Sequence, residues 1–395
     1  MDLISIITCR IIRRVNVSLA INPKMISNFI MSRAPWLDWI RFIAAFMVTV
    51  AHARGFNWVD WGHLPTSEKS LAAQLFYTIT RVGVEWVVIF FVLSGFLVGG
   101  STLRRCLDRS FHLGPYAIDR ISRIWVPFIP ALLFIVLVQL ACELPVSTSD
   151  FLGNFFCLQG ICFKSLSHPL WSLSYEVWFY IIAGAIGVIM QNEAKGRIWG
   201  IIVLALGLSV FLRLSPWLLA CWLTGAGCYF ANEKITRKRF MVIWLLIAVM
   251  GCIVSQLQND ASSFGPIFLS GYMPSRDIAW VFQSFGVGLF IASMVKVVPS
   301  TPWLVKFERV GPKLSSFSYT LYLTHFPTMT LWEHFGPGKY SNLSATSFAF
   351  FALKIASSLG VALLFYALFE AHTTKVRAWL RKIFVPDFGA KANQG

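Results

Sequence analysis

Long apolar runs separated by short, mostly basic connections make up most of this chain. They lie at about 36–53, 82–100, 124–141, 170–190, 198–212, 214–231, 240–257, 277–295, 316–332 and 346–369. Each approaches the ~20 residues that a helix rising about 1.5 Å per residue needs to cross a hydrocarbon core about 30 Å thick. The pattern predicts an all-α integral membrane protein with about ten transmembrane helices in a single bundle. Composition agrees with it. Of 395 residues, 56% are hydrophobic and 13% are charged, whereas a soluble domain needs about a quarter charged residues to cover its surface.

The net charge of +16 has two physical readings, phosphate binding and membrane orientation. Its distribution decides between them. Taking alternate connections, 25 Lys and Arg fall on one side, seven on the other, and two, Arg41 and Lys354, inside the runs. Oriented insertion produces this asymmetry, so nucleic acid is not needed as a partner, and both termini are expected in the cytoplasm. The organisation expected is a cytoplasmic N-terminal tail over 1–35, a transmembrane domain over 36–370 and a basic cytoplasmic C-terminal tail over 371–395. No cleaved signal peptide is expected, because Arg10, Arg13 and Arg14 interrupt the early apolar stretch.

Cys142, Cys157 and Cys162 fall on the far side in this topology, where Cys157 and Cys162 are the pair closest in sequence for a disulfide, with free thiols as the alternative. Walker, dinucleotide-binding and His-Glu-x-x-His patterns are absent from the sequence, so no metal is expected.

Ionisable residues inside membrane runs cost at least a few kcal/mol, which makes each a functional candidate. The first run carries Arg41 and His52, eleven residues apart. That is about three helical turns, so they share a face about 16 Å apart along the axis and can line one passage. The alternatives are snorkelling of Arg41 with Asp38 as partner, and a His52 bonded to a helix carbonyl at the interface. Glu176 lies six residues into the fourth run, which puts it near the depth of His52. There it is a candidate to orient the imidazole or handle an acceptor hydroxyl, or else a buried acid holding two helices in register. Glu85 reads as interfacial, Ser94-Gly95 as a close helix contact, and His325 beside Pro327 as a lining or backbone-satisfying group. Arg104, Arg105, Arg120 and Arg123 cluster before the third run. They suit a phosphorylated donor, and topology anchoring explains them about as well.

Six segments in series carry a resemblance. They are Leu37-Asp38-x-x-Arg41 with His52 following, Gly83-Val84-Glu85 with Phe90 to Phe96, Arg120-Ile121-x-Arg123-Ile124-x-x-Pro127, Trp171 to Tyr180, Ser318 to Pro327, and Phe369-Glu370. Together they resemble the acyltransferase 3 family, integral-membrane O-acyltransferases that modify bacterial surface polysaccharides. The resemblance implies transfer of an acyl group, most often acetyl from acetyl-CoA, onto a hydroxyl of a polysaccharide or its lipid-linked precursor, in the bacterial inner membrane. It marks Arg41 and His52 as the essential pair. It also leads to the expectation of no esterase-like domain after the last helix.

Combined with the residue reading, the expected catalytic set is His52, Arg41 and Glu176. The donor's phosphates are expected on Arg41, Arg104, Arg105, Arg120 and Arg123. The competing class is a glycan or lipid transporter, because intramembrane ionisable residues also mark transport paths. A structural subunit of an export complex is the third.

Overall fold

The structure, a computed structural model, describes residues 35–191, 194–259, 275–295 and 302–385. The expected N-terminal tail, apart from Pro35, and the last ten residues of the expected C-terminal tail lie outside the described residues. The helices are α1 (Pro35–Asn57), α2 (Leu71–Thr80), α3 (Gly83–Ser94), α4 (Ser101–Leu107), α5 (Leu113–Ala141), α6 (Thr148–Phe155), α7 (Trp171–Gln191) and α8 (Ala194–Ser209). The chain continues through α9 (Pro216–Cys228), α10 (Met241–Asn259), α11 (Arg276–Met294), α12 (Pro302–Ser315), α13 (Ser318–Phe335), α14 (Ala345–Leu368) and α15 (Thr373–Phe384). Among the described residues there is no strand beyond two isolated bridges.

Among the described residues, eight stretches are long and apolar enough to cross a membrane, against the ten expected. Both differences have a physical cause. The run at 214–231 folds as α9, whose 13 residues reach only about 20 Å at 1.5 Å per residue. The run at 316–332 folds as α13, which carries Ser318, Thr320, Thr324, His325, Thr328 and Thr330 and is too polar for a lipid-facing span. Several of those hydroxyls bond back along the helix, Thr324 to the Thr320 carbonyl at 2.9 Å and Thr328 to the Thr324 carbonyl at 2.8 Å. Such bonds satisfy the polar groups inside the bundle.

Helix α1 runs through the bundle, packed against α3, α12, α13 and α14. Its ends are tied by polar groups. At the start, the Ser315 hydroxyl donates to Asp38 Oδ1 at 2.8 Å. At the far end, the fully buried Lys354 ammonium of α14 donates to the Phe56 carbonyl at 3.1 Å and to Asn57 Oδ1 at 2.9 Å. A cation at a helix C-terminus meets the negative end of the macrodipole and the orphaned carbonyls.

Helix α3 continues through a π turn at Gly95–Gly100 into α4. The turn lies against α9, and the approach is close: a Cβ at Gly95 would run into the Trp222 carbonyl, and one at Gly225 into the Val92 carbonyl. Small residues at helix crossings are the membrane solution for backbone approach, as Ser94-Gly95 led us to expect. Here Trp222 Nε1 donates to Ser94 Oγ at 3.3 Å.

Glu85 departs from its expected interfacial setting. Its side chain is buried between α3, α10 and α11, where Ser255 Oγ donates to it at 2.6 Å and Arg276 lies 3.6 Å away. Cys157 and Cys162 are both free, the first fully buried and the second exposed.

Candidate functional site

Two cavities flank α1, one at each end of the Arg41 to His52 interval. The first, of about 370 Å³, is lined by Arg41, Ser94, Arg120, Arg123, Ser172, Glu176, Tyr180, Tyr319 and Arg377, with apolar walls from α3. The second, of about 320 Å³, is lined by His52, Arg54, Arg81, His168, Trp171, Glu333 and Lys339. Val87 and Tyr322 line both. The sequence places Arg41 and His52 on one passage; in the structure they open into two adjacent cavities that share a wall.

The imidazole chamber is organised by three elements. The loop before α7 is stitched by Gln159, whose Nε2 donates to the Leu170 carbonyl at 2.7 Å, and it turns through His168–Leu170. This brings the His168 ring within 5.7 Å of His52, while Phe326 packs edge-on to His52 at 5.4 Å. Helix α13 supplies His325, fully buried, with Nε2 3.0 Å from His52 Nδ1 and Nδ1 3.0 Å from the Leu321 carbonyl.

That chain of contacts fixes the tautomers. A backbone carbonyl only accepts, so His325 Nδ1 carries its proton and, in the neutral ring, Nε2 accepts. His52 Nδ1 must then donate, which leaves His52 Nε2 with a free lone pair. Nε2 is thereby the nitrogen of His52 that can accept a proton.

The guanidinium cavity gathers its charges from four places along the chain. Arg41 sits on α1 and pairs with Asp38 at 3.3 Å, the i−3 partner the sequence offers. Arg120 and Arg123 come from α5, three residues apart on one face. Arg123 is braced by the buried Glu370 at 3.0 Å, whose other oxygen accepts from the Thr320 amide at 3.3 Å. Arg377 reaches in from α15 and lies 3.6 Å from Asp119. The guanidinium of Arg120 stands over the Tyr180 ring at 5.4 Å, and Tyr180 donates to Glu176 at 2.5 Å. Arg120 Nε and the Tyr319 hydroxyl are buried without a hydrogen-bond partner among the described residues. Four guanidiniums facing one carboxylate fit a multiply charged phosphate ligand, since Arg pairs with phosphate through charge-assisted, bidentate bonds.

Three expectations need correction. Glu176 lines the cavity of Arg41, not that of His52. The reason is where the helix begins. His168 already stands at the depth of His52, and Glu176 lies five residues beyond the first residue of α7, about 7.5 Å further along its axis. The group that meets the His52 imidazole is His325. Arg104 and Arg105 do not line the cavity; Arg104 pairs with Asp108 at 3.1 Å on the surface. The expected tail from 371 onward folds in its first part as α15, packed on α5, and contributes Arg377.

His168 and Arg377 were not read as site residues from the sequence. Nothing near His168 marks it, because it sits in an irregular loop. Arg377 has a signal: α15 alternates basic and apolar positions at helical spacing, as a helix lying on a bundle would.

Comparison with curated proteins and with solved structures finds no match. The family model for the acyltransferase 3 domain, described as an acyltransferase domain, matches residues 34–367 and so covers every residue that lines the two cavities except Arg377. With nearly the whole bundle inside that match, the chain belongs to the acyltransferase 3 family and is a multi-pass membrane acyltransferase.

Proposed function

We propose that the protein transfers an acyl group, acetyl from acetyl-CoA, onto a hydroxyl of a surface polysaccharide or its lipid-linked precursor in a bacterial inner membrane. The observation that carries this reading is the pair of cavities meeting at Val87 and Tyr322, one lined by four guanidiniums and the other by a histidine with a free Nε2. In the ten-run alternation of the sequence the excess of Lys and Arg on the Arg41 side favours a cytoplasmic placement of that end, where acyl-CoA is made.

Arg41, Arg120, Arg123 and Arg377 hold the donor's phosphates, and the extended pantetheine arm directs the thioester toward the Val87–Tyr322 wall. His52 Nε2 takes the proton of the acceptor hydroxyl as its oxygen attacks the thioester carbonyl. The carbon–sulfur bond then breaks, and the imidazolium returns the proton to the departing thiolate. The products are an ester and free CoA. A neutral imidazole, able to take up a proton and give it back, suits both halves of that exchange. His325 keeps Nδ1 of His52 occupied as a donor, so the base is always Nε2.

The test is reconstitution in liposomes with acetyl-CoA and an envelope glycan fraction. The expected result is free thiol and acylated glycan in step, both lost in His52→Ala at normal membrane insertion. Glycan movement across the bilayer without thiol release would replace the transferase reading with a transporter.

A further inference from the structure

The chemistry of the acceptor is written in the charges around His52, and the inference rests on reading that chamber as the acceptor's side. In the ten-run alternation of the sequence, seven Lys and Arg fall on the His52 side. Three of them, Arg54, Arg81 and Lys339, line this one cavity of about 320 Å³, against a single lining carboxylate, Glu333.

The three cations come from separate elements that converge. Arg54 lies two residues beyond His52 on α1, Arg81 closes α2, and Lys339 is held by the loop before α14. That loop is pinned to the end of α1, with the Tyr340 amide donating to the Asn57 carbonyl at 2.9 Å and Val59 donating to the Tyr340 carbonyl at 3.0 Å. Arg54 is 14% exposed, stacks over the Tyr77 ring at 5.1 Å and reaches Asp60 at 3.7 Å, a residue itself 83% exposed. Its Nε is buried with no hydrogen-bond partner among the described residues. An enclosed guanidinium with one weak, solvated partner is costly near a membrane unless an anion completes it. Trp171, on the same wall, offers an apolar face for a sugar ring.

We propose that the acceptor is an anionic sugar, carrying a carboxylate or a phosphate next to the hydroxyl that is acylated. The anion binds Arg54, Arg81 and Lys339, the ring lies on Trp171, and the hydroxyl is directed at His52 Nε2. A uronic acid and a glycosyl phosphate present the same chemistry to these side chains.

The test reads binding without catalysis. Protein in phosphatidylcholine nanodiscs is treated with diethyl pyrocarbonate, and modification of His52 is followed by peptide mass spectrometry with glucuronate, glucose 1-phosphate or glucose at equal high concentration. Slower labelling with an anionic sugar and no slowing with glucose is the expected result. Protection by glucuronate alone assigns a carboxylate, and by glucose 1-phosphate alone a phosphate. Arg81→Gln and the exposed Lys339→Gln, each checked by thermal melting, should weaken that protection. Equal protection by glucose, or no protection by any of the three, overturns the proposal. Acetyl-CoA consumption by the same preparation tests the transferase reading separately: protection without consumption keeps the anion site and removes the transferase.

Discussion

Arg41 and His52 stand on one helix yet open into different cavities, divided by Val87 and Tyr322. The Tyr322 hydroxyl lies 2.6 Å from Ser172 Oγ and donates to the Pro169 carbonyl at 3.0 Å, so this wall is fastened to the start of α7. Transfer requires the reacting atoms to meet there. Enlarging Val87 to Phe should leave acyl-CoA binding intact and lower the transfer rate by about 100-fold, the scale of loss when reacting groups are held about 1 Å out of place. Titration of acyl-CoA binding beside single-turnover transfer checks it; a parallel loss of binding would show that the wall belongs to the donor site.

In the proposed reaction His325 acts through His52 as a positioning residue. His325→Ala removes the buried ring that faces His52 Nδ1 and leaves the Val48 carbonyl of its own helix as the remaining partner, so the imidazole is held less firmly, with an expected loss of about 10²-fold in kcat. His325→Gln supplies an amide oxygen as acceptor and should recover part of that rate. Steady-state kinetics with thermal melting of both variants checks the prediction, and equal activity of the two would argue for packing alone.

Breaking the brace behind Arg123 should affect the donor rather than the chemistry. Glu370→Gln leaves Arg123 without its buried counter-ion, and with that guanidinium a third exposed, a stability cost of about 1–3 kcal/mol is expected, below the usual range for a fully buried pair. The Michaelis constant for acyl-CoA should rise with little change in kcat. The reverse split would place Glu370 in the chemical step.

The two cysteines of the loop before α7 differ in reactivity. Burial, with the negative charge of Glu176 adding to it, pushes the Cys157 thiol up to about 12, so at pH 7 to 8 almost none of it is thiolate. Cys162 is exposed. Maleimide labelling of the folded protein should modify Cys162 and leave Cys157 untouched, and a 157–162 disulfide found by peptide mapping would contradict the structure.

Much of the fold was legible because bilayer thickness acts on the sequence directly, and the predicted apolar runs coincide with helices. The polar stripe on α13 hid its role, since Thr and His in a run read equally as lining or as backbone satisfaction. Arg41, Arg120 and Arg123 were legible as charges inside or beside runs. Glu176 was misplaced because depth counted from a run's start ignores where the preceding loop enters the bundle. His168 and the His52–His325 contact are relations between distant segments, and no spacing within one helix encodes them.

The central claim is that α1 separates donor binding at Arg41 from proton transfer at His52. Acetyl-CoA binding and acyl transfer measured on Arg41→Gln and His52→Ala in the same liposomes test it most directly. Donor binding should weaken in the first, while the second should bind donor as the unaltered protein does and show no transfer. Transfer at the unaltered rate by His52→Ala would contradict it.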